Sequence, residues 1–420
     1  MTGEGAAQRA AASLLRCRAA LAGPAALDEH DTAIIGVDLD ALDAQLAMLR
    51  SAFPSSVRHA VAIKTMPHPR MLAHLVGQGF GLEAASVEEV RLALTAGAAP
   101  TEIIFDSPVK THAEIRWCED NLPGALLNAN SIAELERYPE RPSFRLGLRL
   151  NPEIATGAPA RFDVSGHRSK FGASIAGDRA DLVAACVAAG VTALHMHIGS
   201  QVPGTDAHVQ AVARVLDVAV DIDAERARRG DKRRVTTIDI GGGLTAESEA
   251  SPAMREYGRR LQAEHSALFD HDVRTEFGQW VHANAGWSAS RVESVEQRSV
   301  PMAFLHLGAD LFMRDVYTGS DEDFPYEVAV VRPDGSTWTN GQDSTATRAH
   351  DLVGPLCFAG DVLARGIELP QLHEGDWLVM AGTGANTYGL WSRHCSRTIP
   401  KVVATRGDAY ELWSARRPAT

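Results

Sequence analysis

A (β/α)8 barrel followed by a C-terminal antiparallel β domain is the α/β fold this sequence predicts, on three observations. Short β-branched or apolar runs alternate with longer stretches of helical spacing. The alternation recurs eight times, over a span close to the roughly 250 residues typical of such a barrel. After about residue 300 the pattern changes to alternating apolar residues broken by Gly and Pro. A doubly wound sheet is the structural runner-up.

In chain order, the Ala-rich start from Met1 to Leu27 carries Arg9, Arg16 and Arg18, too broken for a secretory leader, and predicts a capping helix within a segment 1–30. Ile34–Val37 reads as a strand that joins the later sheet. The barrel, placed at 31–300, takes its strands from AVAIK ending at Lys64, GLEAAS at Ser86, IIFDS at Ser107, ALLNANS at Ser131, RLGLRLNP at Pro152, ALHMHIGS at Ser200, TIDIGGG at Gly243 and VRTEFGQ at Gln279. Helices are expected over Val87–Ala98, Asp178–Ala189 and Asp206–Arg229, with Gly97 and Gly190 closing the first two. The second domain, 301–420, takes strands from Tyr326–Val331, Trp377–Ala381 and Thr398–Ala404, with Val331–His350 as a long hairpin or surface loop.

The chain has 420 residues, 45% hydrophobic and 22% charged, which suits a barrel plus an accessory domain and excludes wholesale disorder. A net charge of -12 argues against nucleic acid and anionic membranes as partners and leaves a small molecule as the default. No apolar run approaches the ~20 residues of a spanning helix. Cys17, Cys118, Cys186, Cys357 and Cys395 lie far apart with no C-x-x-C pair, so reduced thiols in a cytoplasmic protein are expected.

Barrel chemistry gathers at the carboxyl ends of the strands, where Lys64, Ser86, Asn151, His197, Ser200, Gly241 to Gly243 and Glu276 fall. Lys64 closes an apolar strand, and burial there would depress its pKa and leave the neutral amine that Schiff-base chemistry needs. A snorkelling lysine is the alternative. Gly241, Gly242 and Gly243 follow a strand and offer N–H groups to a phosphate, although a tight turn explains them equally well. His195 and His197 alternate on one strand, too few ligands for a metal, so no metal is expected. Glu276 in a barrel mouth should meet a cationic or protonated partner.

Together the strand-end lysine, the His-x-x-Ser, the Gly triplet, the strand-end glutamate and the late cysteine of GPLCFAGD resemble the fold-type III PLP-dependent decarboxylases, the family of diaminopimelate and ornithine decarboxylases. SKFG at Ser169–Gly172, ANAG at Ala283–Gly286, DLFMRDVY at Asp310–Tyr317 and GANTY at Gly384–Tyr388 extend the resemblance from about Asp31 to Val403. It implies that Lys64 carries pyridoxal 5'-phosphate (PLP) covalently, that His197 stacks on its ring, and that Ser200, Gly241, Gly242, Gly243, Gly278 and Tyr388 surround its phosphate. Glu276 would pair with the ring nitrogen. Cys357 would act from the partner subunit of a homodimer with shared active sites, delivering a proton to Cα.

Departures from the family pattern bear on the substrate. Where the family has E-P-G-R this chain has Glu276-Phe277-Gly278-Gln279, so the neutral Gln279 replaces an arginine at the phosphate or a distal substrate carboxylate. Where the family has an acid after the cysteine, Phe358 follows Cys357 and cannot pair with a distal ammonium. Arg314 and Tyr317 keep the substrate-contacting pair at a shorter spacing. The implied activity is decarboxylation of an unusual amino acid or amino-acid conjugate, not standard diaminopimelate, lysine or ornithine, with release of CO2 and an amine. A racemase on the same barrel and a non-catalytic binding relative are the alternatives. Cys357 favours the decarboxylase over the first, and Lys64 favours an enzyme over the second.

Overall fold

The computed structural model describes residues 5–19, 26–246, 252–318, 324–340 and 346–417. It divides into two compact units, one of residues 46–281 and one of residues 1–45 with 282–420.

The first unit is a closed parallel barrel. Its strands are Arg58–Ala62, Gly81–Ala84, Ile103–Phe105, Leu126–Ala129, Arg145–Asn151, Ala193–Met196, Thr237–Asp239 and Asp272–Thr275, each paired in parallel with the next, and the last closes on the first through Arg274 and Arg58. All eight stand where the apolar runs of the sequence put them. A short extra strand, Ala173–Ser174, lies along Arg145–Asn151. The runs are near-continuously apolar because parallel barrel strands are covered on both faces.

Each strand passes into its helix through a turn the sequence specifies. Ser86 caps Val87–Thr95 by accepting from the Glu89 N–H, and Ser131 caps Ile132–Leu135 in the same way. Ser86 thus serves as a helix cap. Asp178 caps Arg179–Ala189, and Gly190 ends that helix at φ 73°. Asn151 orders its own loop, accepting from the Glu153 N–H and donating to the Gly166 carbonyl.

The second unit is a mixed sheet in the order Thr337–Thr339, Glu327–Val331, Trp377–Ala381, Gly286–Glu296, Ala33–Asp38, Lys401–Arg406, Ala409–Ser414. Met302–Leu305, Thr347–Val353 and Val362–Pro370 branch from Gly286–Glu296. Two neighbouring pairs are parallel, Ala33–Asp38 with Lys401–Arg406 and Met302–Leu305 with Thr347–Val353; the rest are antiparallel as expected. Gly36 cannot be anything larger, since a Cβ there would stand 1.8 Å from the Trp287 ring that lies across it. Helix Ala6–Ala19 buries Ala7, Ala10, Ala11, Leu14 and Cys17 against Ile34, Trp287, Val331 and Val379. Its small residues let it lie close to the sheet. Gly286–Glu296 belongs to this sheet, so the unit begins at His282 and not at the expected residue 301. Val331–His350 forms a hairpin to Thr337–Thr339 and then enters strand Thr347–Val353, with 341–345 outside the described residues.

Candidate functional site

Seven ionisable side chains come to the carboxyl ends of the barrel strands: Lys64, Glu83, Asp106, Arg149, His195, Asp239 and Glu276. Lys64 sits in the turn Ile63–Thr65 directly after the first strand. Its side chain is 51% exposed, and Nζ lies 2.6 Å from Oε2 of the buried Glu83. Burial acts to lower the Lys64 pKa, but Glu83, Glu276 and Asp106 outweigh it and hold the ammonium above its ordinary value. The depressed lysine expected from burial alone is thus corrected: three carboxylates surround it. Burial pushes Glu83 up to about 7 despite the opposing charge of Lys64, with Glu276 adding to the rise.

Deeper in the barrel, Arg149 Nη1 donates to Asp106 Oδ2 at 2.7 Å. Asp106 Oδ1 faces His195 Nδ1 at 3.4 Å, and His195 Nε2 faces Glu276 Oε2 at 3.3 Å. Burial alone would lower His195, yet Asp106, Glu276 and Asp239 raise it well above the usual range, which favours the imidazolium. Burial would raise Glu276 and Asp106 too, but His195 brings the first below its ordinary value, and Arg149 with His195 brings the second. Lys64, Arg149 and His195 thus face Glu83, Asp106 and Glu276. Asp239 is the acid left over, and burial with the neighbouring Glu276 raises it well above the carboxylate range.

His197 is half-buried and neutral: burial, Arg149 and Lys64 take it well below its ordinary pKa, and its Nδ1 accepts from the Gly242 N–H at 3.3 Å. The Gly241 N–H donates to Asp239 Oδ1 at 2.9 Å. Two of the triplet's donors are therefore spent inside the barrel, which the phosphate-cradle expectation did not foresee. Gly243, at φ 108°, packs against the loop that carries Ser200, where a Cβ would lie 2.1 Å from the Gly199 carbonyl oxygen. Gly278 packs on the lysine turn, where a Cβ would meet Thr65 at 2.7 Å, and Gln279 opens the helix Gln279–His282.

The remaining expected residues belong to the second unit. Cys357 and Phe358 are exposed on a loop pinned by Asp361, which accepts from the Ala309 N–H at 2.6 Å and the Leu356 N–H at 2.7 Å. Phe358 stacks on Tyr317 with ring centroids 5.2 Å apart, and the Tyr317 hydroxyl lies 3.1 Å from His394 Nδ1. Arg314 stands in helix Met313–Thr318, one turn before Tyr317. Tyr388 is half-buried, its hydroxyl accepting from Arg417 at 2.7 Å. Sequence reasoning missed Glu83, Asp106, Arg149 and Asp239. The signal was present, because each is an ionisable residue inside an otherwise apolar strand run, and such a group must be paired.

His195, Asp239 and Glu276 each place a ligand-type atom within 4.8 Å of the others. The His195 ring already faces a carboxylate on each side, Asp106 from Nδ1 and Glu276 from Nε2.

A parallel barrel with paired acids, a lysine and a neutral histidine at its strand ends has the make-up of a barrel enzyme. The chain belongs to the pyridoxal-dependent decarboxylases: residues 39–282 match the family's pyridoxal binding domain. Diaminopimelate decarboxylase of Deinococcus radiodurans is 27% identical over 383 residues, 90% of this chain and 91% of that protein. The Pseudomonas aeruginosa diaminopimelate decarboxylase is 29% identical over 361 residues, covering 83% and 81% of the two chains. Among solved structures, Helicobacter pylori diaminopimelate decarboxylase complexed with L-lysine matches with TM-score 0.79 at 21% identity over 93% of this chain and 95% of that one. The arginine decarboxylase of Paramecium bursaria Chlorella virus matches with TM-score 0.72 at 18% identity, over 86% and 92%. The protein is a PLP-dependent decarboxylase of this group, and among the described residues no helix is long and apolar enough to cross a membrane.

Proposed function

We propose that this decarboxylase acts on an amino acid whose distal portion is not a free ammonium or carboxylate, with Lys64, Glu276, His197, Ser200 and Gly243 serving the cofactor. The residues present fit PLP: Glu276 Oε1 is buried without a hydrogen-bond partner among the described residues, a position suited to a ring N–H. When bound, PLP supplies a ring that accepts the electron pair released as the Cα–carboxylate bond breaks. Lys64 is the bonding amine, and Glu83 Oε2, at 2.6 Å, is placed to take the ammonium proton. His197 offers a neutral ring whose tautomer is set by the Gly242 N–H. Ser200 and the Gly243 N–H are the donors for the phosphate, where Gly241 and Gly242 act by shaping the turn. Gln279 brings no charge to that end, and Tyr388, in the second unit, is the remaining phosphate donor of this reading.

The observation that carries the substrate reading is the ring pair Phe358 and Tyr317, 38% and 45% exposed, beside Cys357. A buried distal ammonium set against these rings lacks a counter-charge, at a cost of roughly 1–3 kcal/mol or more. Arg314 is the substrate's carboxylate contact in this reading, and Cys357 its proton donor, acting across a homodimer in the cytoplasm. The test is CO2 release by the PLP-loaded protein across a panel of amino acids and their N-acylated or conjugated forms. Lysine, ornithine and meso-diaminopimelate should be poor substrates. Diaminopimelate turnover with kcat/KM above the order of 10⁴ M⁻¹s⁻¹ would overturn the specificity and assign this chain the reaction named for its relatives.

A further inference from the structure

The carboxylate proposed for the ring nitrogen does not stand alone. Glu276 Oε2 lies 3.3 Å from His195 Nε2, His195 Nδ1 lies 3.4 Å from Asp106 Oδ1, and Asp106 Oδ2 accepts from Arg149 at 2.7 Å. All four are nearly or wholly buried. The chain ends on a fixed point, because the Arg149 guanidinium sits 4.5 Å from the Phe171 ring centroid. We propose that Asp106 and His195 are positioning residues for Glu276: Arg149 fixes Asp106, Asp106 fixes His195, and His195 engages Oε2, so that Oε1 alone is left for the cofactor.

This rests on the reading of Glu276 as the ring-nitrogen partner, and it explains why that carboxylate is not neutralised by its nearest rival. Asp239 and Glu276 are neighbouring buried carboxylates, and the charge of Glu276 and a side-chain hydrogen bond with it raise Asp239. The His195 cation between Asp106 and Glu276 leaves Asp239 as the protonated member. Around His195 stand Asp106, Glu276 and Asp239, with Arg149, Lys64 and His197 beyond them; Lys110, in the loop after Asp106, acts on Asp106, and Glu83, on the neighbouring strand Gly81–Ala84, acts on Glu276. Without Asp106, His195 keeps its acidic neighbours on one side only, and the Glu276 side chain loses its anchor.

The test uses the full chain labelled with ¹⁵N-histidine, first without cofactor. His195 should carry protons on both ring nitrogens from pH 6 to pH 8, Asp106→Asn should make it titrate inside that window, and Asp106→Glu should restore the cation. In the PLP-loaded protein Asp106→Asn should weaken PLP binding about tenfold or more and lower kcat while KM changes little. A neutral His195 in the wild-type protein at pH 7 overturns the proposal even if the variant does not fold, and so does an Asp106→Asn protein with unchanged His195 charge and PLP affinity. Glu276→Gln separates the two readings. If it keeps near-normal turnover, the ring-nitrogen assignment fails whatever the state of His195.

Discussion

His59 gives the barrel a titration that can be counted. It is buried on the first strand, its Nδ1 2.8 Å from Thr275 Oγ1 on the eighth and its ring against Phe53 and Phe80. Burial, helped by Arg50, depresses its pKa to about 4. In the unfolded chain a histidine titrates near 6.5, so on acidification the unfolded state binds the proton first. The stability that neutral His59 contributes is present above pH 6.5 and is lost as pH falls from there through 4. At about 1.4 kcal/mol per tenfold, the full gap is about 3 kcal/mol, of which about 2 kcal/mol disappears between pH 7 and pH 5. His59→Asn keeps an amide where Nδ1 stood and removes the titration. Urea unfolding of wild type and variant at both pH values should show the variant losing about 2 kcal/mol less on acidification. An equal loss in both proteins would show that His59 is not held neutral.

Two further outcomes test the site. Mixing Lys64→Ala and Cys357→Ala subunits, each inactive, should recover up to about a quarter of wild-type activity if the two residues act across a dimer, since half the random dimers carry one intact site; no recovery after confirmed exchange would confine the cysteine to its own subunit or outside catalysis. Gly243→Ala should destabilise the barrel by about 1–3 kcal/mol and weaken PLP binding, because φ 108° and the Gly199 carbonyl exclude a Cβ; unchanged thermal unfolding and cofactor affinity would show that the loop relaxes without cost.

The eight barrel strands were legible because each is a short apolar run closed by a helix cap or glycine. Gly286–Glu296, GWSASRVESVE, was not. Its buried Ser288 and Ser290 are satisfied by Thr383 and the His306 N–H at 2.8 Å each, so the strand lies in the interior without an apolar signature. The site was legible where residue type is unusual for its place, as with Lys64, Gly241 to Gly243 and Glu276. It was hidden where chemistry lies in pairing: Asp106, Arg149 and His195 come from three different strands, and nothing in IIFDS, RLGLRLNP and ALHMHIGS joins them until the barrel closes. That is also why the sequence read Lys64 as depressed, seeing its burial and not the three acids around it.

Strand Ala33–Asp38 lies between Gly286–Glu296 and Lys401–Arg406, with Val37 accepting a hydrogen bond from a residue 368 positions later in the chain. On a ribosome adding about 5–20 residues per second, it waits on the order of 20–70 s for its last neighbour. The barrel, 46–281, is encoded entirely within that interval and can close while its host sheet is still incomplete. Until Gly286–Glu296 and then Lys401–Arg406 are made, the apolar residues of the strand lack their partners and are open to pairing with another nascent copy or to shielding by a chaperone. The order of synthesis therefore lets the barrel close first and leaves the sheet waiting on Lys401–Arg406.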